Sequence, residues 1–302
     1  MIRASIDIGS NSCLLLVLEV EGHSFKTLES HSRITSLGKN LDINKKFLKE
    51  SVDATLNALR DYCEILSNYK INLPDVIVTA TEASRVASNF NELADPAKDS
   101  LGLKIQRISG EGEAYYTALG VAKGVHGNSS LITIMDIGGA STELINVELK
   151  DFKILNSISL PVGSVRATDW LAEGRFKDKM LEIFKEFDLE NFSVDKLVCV
   201  AGTMTTLAAL LSGMKKFDEN KVHEQVFFKD DLENILTKLK ERTSTEILEE
   251  FPICGKRAFS IYGGALVASE IAKHLNISQF EISTYGLRYG VALEGRVDER
   301  FI

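Results

Sequence analysis

The chain has 302 residues, 44% hydrophobic and 26% charged, which is the balance of a core-forming soluble protein with room for two domains and excludes disorder. A formal charge of −8 argues against a general nucleic-acid binder, because tracking a duplex needs a basic stripe. The longest apolar runs, such as Cys13 to Leu18 and Ala265 to Ala268, fall far short of the roughly 20 residues a membrane span requires, so no membrane partner is expected.

Taken in chain order, apolar alternation predicts three strands up to about Ile34, beginning at Ile2 and leaving no charged leader, so a cytoplasmic location is expected. A 3.6-residue period predicts a helix over Lys49 to Tyr69, followed by a buried strand at Asp75 to Thr79. Short helices through Glu82 to Ala97, a strand near Leu103 to Ile108 and a helix over Gly112 to Ala122 complete the first half. The second half repeats the order: strands at 131–136, 141–148 and 152–160, helices at 163–171 and 175–187, a strand at Lys196 to Val200 and helices after Gly202. Helices over Lys229 to Arg242 and Lys256 to His274, a strand at Phe280 to Ser283 and a last helix from Gly286 follow.

A strand meander that gives way to alternating helices and strands, twice over, predicts two related α/β domains. The break falls at Lys123 to Ser129, giving domains of 1–125 and 126–302, with the last helix free to pack back on the first domain.

Two segments are near-duplicates: Asp7-Ile8-Gly9-Ser10-Asn11-Ser12 and Asp136-Ile137-Gly138-Gly139-Ala140-Ser141-Thr142-Glu143. In each, an apolar strand ends at an Asp, turns through Gly and Ser residues and leaves as a second apolar strand. The Asp can meet a metal or a water, while the glycines let a phosphate approach backbone N–H groups. Between them lies Ile108-Ser109-Gly110-Glu111-Gly112-Glu113-Ala114, which reads either as a helix start capped by Ser109 or as a turn presenting a carboxylate to an attacking water. The four cysteines, Cys13, Cys63, Cys199 and Cys254, are scattered singly and read as reduced packing residues, not as a zinc site.

These segments, with Thr79-Ala-Thr-Glu-Ala-Ser-Arg85, Leu160-Pro-Val-Gly-Ser-Val-Arg166, Ala201-Gly202-Thr203 and Ser283-Thr284-Tyr285-Gly286-Leu287-Arg288-Tyr289-Gly290, resemble the exopolyphosphatase/guanosine pentaphosphate phosphohydrolase (Ppx/GppA) family along the whole chain. The resemblance implies two ribonuclease-H-like domains of the actin, heat-shock-chaperone and sugar-kinase fold, with a central cleft. It also implies release of terminal orthophosphate from polyphosphate or of the 5′ γ-phosphate from guanosine pentaphosphate, dependent on Mg²⁺ or another divalent cation.

Carried over by residue, Glu113 falls on the family's catalytic glutamate, and Arg85 would neutralise charge on the terminal phosphoryl group. Asp136 and Glu143 would hold the metal or its waters. Gly138, Gly139 and Ser141 would cradle phosphates from one side, and Ser10, Asn11 and Ser12 from the other. Members often dimerise, so a homodimer is an implied partner state alongside polyphosphate, guanosine pentaphosphate and guanosine tetraphosphate, although no residue here marks a dimer surface. Arg33, Arg166 and Arg288 read equally well as scaffold, and Gly202-Thr203 either lines a substrate channel or merely starts a helix.

The chain departs from the family pattern at four places: Gly112 stands for a second glutamate, Tyr115 for an arginine, Ala140 for a third glycine and Tyr289 for a glutamate. It also stops before the helical extensions of long members, which leads to an expected preference for short polyphosphate or a nucleotide. Two other readings stay open. One is a kinase or ATPase of the same fold, which would form ADP only with a second substrate; the other is a catalytically weak guanosine tetra- or pentaphosphate sensor, motivated by the departures around Glu113.

Overall fold

A computed structural model describes residues 1–22, 24–124, 130–194 and 196–302. The chain resolves into two compact units, Met1–Gly120 with Tyr285–Ile302, and Val121–Thr284. The expected boundary at 125/126 lies outside the described residues.

The first unit opens with β1 (Ile2–Ile8), β2 (Ser12–Glu21) and β3 (Ser24–Ile34), an antiparallel meander. A short α1 (Leu41–Asn44) precedes α2 (Lys49–Ser67), whose Val52, Leu56, Leu59, Tyr62 and Leu66 recur at helical spacing and bury one face on the sheet. Each such side chain contributes about 1.5–3 kcal/mol, and truncating Leu59 to Ala would forfeit about 2–5 kcal/mol. Next come β4 (Ile77–Ala80), α3 (Glu82–Val86) and α4 (Asn91–Leu101). Helix α4 stops at Gly102, whose φ of 71° allows the Gly102 and Leu103 N–H groups to reach back to the Lys98 and Ala97 carbonyls. Strand β5 (Ile105–Arg107) then leads into α5 (Gly110–Gly124). Strand order is β3-β2-β1-β4-β5, with β4 and β5 parallel to β1.

The second unit repeats the plan. β6 (Leu131–Ile137), β7 (Thr142–Glu148) and β8 (Lys153–Leu160) form the meander, followed by α6 (Ser164–Ala172), α7 (Phe176–Glu186) and β9 (Lys196–Val200). Then come α8 (Ala201–Leu211), α9 (Glu219–Val222), β10 (Val226–Phe228), α10 (Lys229–Leu239) and α11 (Ser244–Glu250). Helix α12 (Ile261–His274) and β11 (Gln279–Ile282) close the unit, with strand order β10-β11-β9-β6-β7-β8. The single helix expected over Lys256 to His274 is two pieces. A 3₁₀ segment, Pro252–Phe259, contains Gly255 at φ 50°, and α12 starts afresh at Ile261.

Helix α13 (Leu287–Glu294) belongs to the first unit. Strand β1 has two faces: Ala4, Ile6 and Ile8 enter the core under α2, while Arg3 and Ser5 bond to α13. The Arg3 guanidinium donates to the Ala292 and Leu293 carbonyls, and the Ser5 hydroxyl donates to the Arg288 carbonyl at 2.8 Å. Tyr289 joins Leu16, Leu18 and Ala292 in a small core on this face, with its hydroxyl 3.1 Å from that of Thr27. The departure at position 289 is thus a packing residue. Cys13, Cys199 and Cys254 are buried and Cys63 half-buried, all as free thiols. Among the described residues no helix is long and apolar enough to cross a membrane.

Candidate active site

The expected site residues fall into one set in each unit, and each set gathers at the carboxyl ends of parallel strands, where α/β sheets bind ligands. In the first unit, β1 runs into the Ser10-Asn11-Ser12 turn, β4 into α3 with Arg85, and β5 into α5 with Glu113. The adjacent strand ends are tied together by Thr81 N–H to the Ile8 carbonyl at 3.3 Å and Ile108 N–H to the Ala80 carbonyl at 3.1 Å.

Arg85 and Glu113 meet. The Arg85 guanidinium donates through Nη2 to Glu113 Oε2 at 3.1 Å and through Nη1 to the Ile108 carbonyl at 2.7 Å. Their side chains are 30% and 13% exposed, so the pair is screened much less than a surface ion pair. Glu113 occupies the first turn of α5, where the helix dipole favours a negative charge. Ser109 caps that turn: its hydroxyl accepts from Gly112 N–H at 3.1 Å and its carbonyl from Glu113 N–H at 2.9 Å. The cap read from the sequence is thus present, and the Glu113 carboxylate stands in the same turn.

The two hairpin turns close in the same way, by Gly9 N–H to the Ser12 carbonyl at 2.9 Å and Gly138 N–H to the Ser141 carbonyl at 3.0 Å. In each unit the chain after the third strand binds the turn's carbonyls. Thr35 and Ser36 N–H groups donate to the Asn11 carbonyl, and Gly38 N–H donates to that of Ser10 at 2.6 Å. Ser164 N–H donates to the Gly138 carbonyl, and Val165 and Arg166 N–H groups donate to that of Gly139. Gly163 must be glycine, because a Cβ there would lie 2.5 Å from the Gly139 carbonyl carbon. Ala140 in place of a glycine is tolerated, since its φ is not positive. Its carbonyl accepts from the Arg166 guanidinium at 2.6 Å, which gives Arg166 a scaffold role.

Asp136 and Glu143 face each other across the β6–β7 pair, with Gly138, Gly139 and Ser141 in the turn between them. Glu143 is 5% exposed and accepts from the Ser159 hydroxyl at 2.8 Å. Among the described residues no cluster of three or more His, Cys, Asp or Glu side chains is placed to hold a metal. Of the other arginines, Arg288 donates to the Leu15 carbonyl and Arg33 is half exposed beside Asp61. Gly202 is the second residue of α8, with the Arg257 guanidinium against it.

Asp7, read from its hairpin as able to meet a metal or a water, is not in the set of expected site residues. Its Oδ1 is enclosed and has no hydrogen-bond partner among the described residues. Burial pushes its carboxyl up to about 7, a shift that the nearby Arg288 guanidinium only partly offsets. The signal was in the sequence, because Asp7 stands in the first hairpin where Asp136 stands in the second.

The chain matches the family model described as the Ppx/GppA phosphatase family over residues 16–297. It is 32% identical to a bifunctional 3-dehydroquinate synthase/phosphatase of Fusobacterium nucleatum over 97% of this chain and 46% of that protein. It is 29% identical to exopolyphosphatase 2 of Mycobacterium tuberculosis over 96% of this chain and 97% of that one. Identity to a guanosine-5′-triphosphate,3′-diphosphate pyrophosphatase of Aliivibrio fischeri is 31%, over 98% of this chain and 59% of that protein. The chain thus spans about half the length of two of these relatives and nearly all of the third. The crystal structure of the Aquifex aeolicus Ppx/GppA family member superposes with a TM-score of 0.78 at 28% identity, covering 97% of each chain. This chain, with its two Asp-Ile-Gly hairpins and its acidic helix start, belongs to the Ppx/GppA phosphatase family.

Proposed function

We propose that the chain is a phosphohydrolase that releases terminal orthophosphate from inorganic polyphosphate, the 5′ γ-phosphate from guanosine pentaphosphate, or both. The observation that carries this reading is the Arg85–Glu113 pair at the carboxyl end of the first sheet: a carboxylate to orient or deprotonate a water, held by a guanidinium suited to a phosphoryl oxygen. The names of the Mycobacterium tuberculosis and Aliivibrio fischeri relatives supply the two substrate classes.

Asp136 and Glu143 are the residues for a divalent cation. Two opposed carboxylates, with no third acid or thiol beside them among the described residues, suit Mg²⁺, which keeps several waters and takes its remaining ligands from substrate phosphates. When bound, the cation would neutralise charge on the phosphate chain. Because the turn carbonyls are committed to main-chain and Arg166 donors, their negative ends are kept from repelling a phosphate, and the turn N–H groups with the Ser10, Ser12 and Ser141 hydroxyls serve as donors. Positioning and charge neutralisation then supply most of the catalysis, with an in-line water as nucleophile.

The departures at Gly112 and Tyr115 have a packing partner in Phe301, which weakens the case for a catalytically silent sensor. The test is orthophosphate release by the wild type and by Glu113→Gln from short polyphosphate and from guanosine pentaphosphate, with Mg²⁺. Release from either that collapses in Glu113→Gln supports the reading. Tight nucleotide binding with no release by the wild type refutes it in favour of the sensor, and ADP formation that needs a second substrate refutes it in favour of a kinase.

A further inference from the structure

The turn that carries Glu113 is gripped from two sides, and only one grip involves an expected site residue. Arg85 holds the Ile108 carbonyl and the Glu113 carboxylate. The second grip is the segment after α13. Phe301, 5% exposed in a 3₁₀ turn over Glu299–Phe301, accepts the Ser109 N–H on its carbonyl at 2.7 Å. Ser109 is the residue whose hydroxyl and carbonyl cap Gly112 and Glu113. A Cβ on Gly112 would lie 2.7 Å from Phe301 Cβ and 3.0 Å from its Cγ, so the aromatic residue reaches the helix only because position 112 is glycine.

The other contacts run in the same direction. The Tyr115 and Tyr116 rings lie 5.2 Å and 5.8 Å from that of Phe301. The Arg300 guanidinium sits over Tyr115 at 5.5 Å and over Phe301 at 4.6 Å. The Tyr116 hydroxyl donates to the Arg296 carbonyl at 3.3 Å and accepts from Asp298 N–H at 2.9 Å. Two of the four departures from the family pattern, Gly112 and Tyr115, are therefore two sides of one socket for Phe301.

We propose that Phe301 is a positioning residue for Glu113, acting through Ser109 and the first turn of α5; this rests on the reading of Glu113 as the residue that orients water. Phe301 fixes the height and rotation of the turn from behind while Arg85 fixes the carboxylate from the front. Loss of the aromatic ring leaves Glu113 in place chemically but lets its turn rock.

The experiment compares Phe301→Ala, the milder Phe301→Leu, Gly112→Ala and the double variant Gly112→Ala/Phe301→Ala. It measures kcat and KM on short polyphosphate together with hydrogen exchange of the Gly112 to Tyr116 amides, using α2 amides as the internal reference. Phe301→Ala is expected to lower kcat about 10- to 100-fold at nearly constant KM, as a small misplacement of a catalytic group does. The same change should speed exchange in the first turn of α5 without touching α2. Phe301→Leu should fall between, which keeps the test valid if the Ala variant folds poorly. Gly112→Ala should reproduce the kcat loss, and the double variant should be no worse than Gly112→Ala alone, since both changes break the same contact and the 2.7 Å approach to the residue 301 Cβ is already present in Gly112→Ala.

Unchanged first-turn exchange, unchanged kcat per folded molecule, or additive losses in the double variant would overturn the proposal. A wild type that releases phosphate from nothing would sink the hydrolase reading instead. In that event the exchange comparison alone decides whether Phe301 holds the turn.

Discussion

Replacing Asp7 with Asn should stabilise the protein at neutral and alkaline pH. The carboxyl is raised from 3.8 to about 7 by burial, so the folded state holds a proton that the unfolded state releases. For a carboxyl shifted upward, stability is intact below the unfolded value and falls as pH rises toward the folded one. The loss accrues at about 1.4 kcal/mol per pH unit between roughly 4 and 7, reaching at most about 4 kcal/mol above pH 7. Asn keeps the shape of the protonated acid and cannot ionise, so Asp7→Asn avoids that loss. Urea unfolding of both proteins without divalent cation at pH 4, 5, 6, 7 and 8 should show a variant advantage that grows from near zero and then levels off. An advantage of equal size at pH 5 and pH 8, or a variant less stable at pH 8, would refute the reasoning. A buried acid that weakens the fold at neutral pH marks a position held for something other than stability.

Four further outcomes are expected. Glu113→Gln should lower orthophosphate release about 10²- to 10⁴-fold with substrate binding largely intact, measured by steady-state kinetics beside a binding titration. Arg85→Lys keeps the charge but cannot serve the Glu113 carboxylate and the Ile108 carbonyl with one planar fork, so kcat should drop with little change in thermal stability. Asp136→Asn should raise the Mg²⁺ concentration for half-maximal release more than it raises KM for the phosphate substrate, read from a metal titration at saturating substrate. Gly163→Ala drives a methyl group into the Gly139–Ala140 peptide at 2.5–2.6 Å and should cost about 1–3 kcal/mol, seen as a lowered melting temperature.

Local chemistry was legible wherever it repeats at short range. Val52, Leu56, Leu59, Tyr62 and Leu66 announce α2 by their spacing, and the two Asp-Ile-Gly turns announce the doubled hairpin. Strand β10 is only three residues long, too short for any period to register, and α11 is a seven-residue helix whose apolar side chains are Ile247 and Leu248 alone. The mostly apolar run from Ala258 to Ala265 hides the restart at Ile261, while the break falls at Ser260, whose φ and ψ of −120° and 0° are not helical. At the candidate site, Glu113 and Arg85 could be named from their motifs, but their direct contact depends on β4 and β5 lying side by side. Phe301 was invisible because its socket is built from residues far away in sequence, and the cost of Asp7 depends on what encloses it.

The way each hairpin turn is held has an evolutionary consequence. In the first unit the Ser10, Asn11 and Ser12 carbonyls accept main-chain N–H groups, from Gly38, from Thr35 and Ser36, and from Gly9 respectively, and position 38 needs glycine because a Cβ there would lie 2.9 Å from Ser10 Cβ. In the second, the Ala140 carbonyl is held by the guanidinium of Arg166. Both turns thus depend on a glycine beside them, Gly38 in one unit and Gly163 in the other, while the second depends in addition on the one side chain of Arg166, so the two halves of one repeated plan should tolerate substitution unequally.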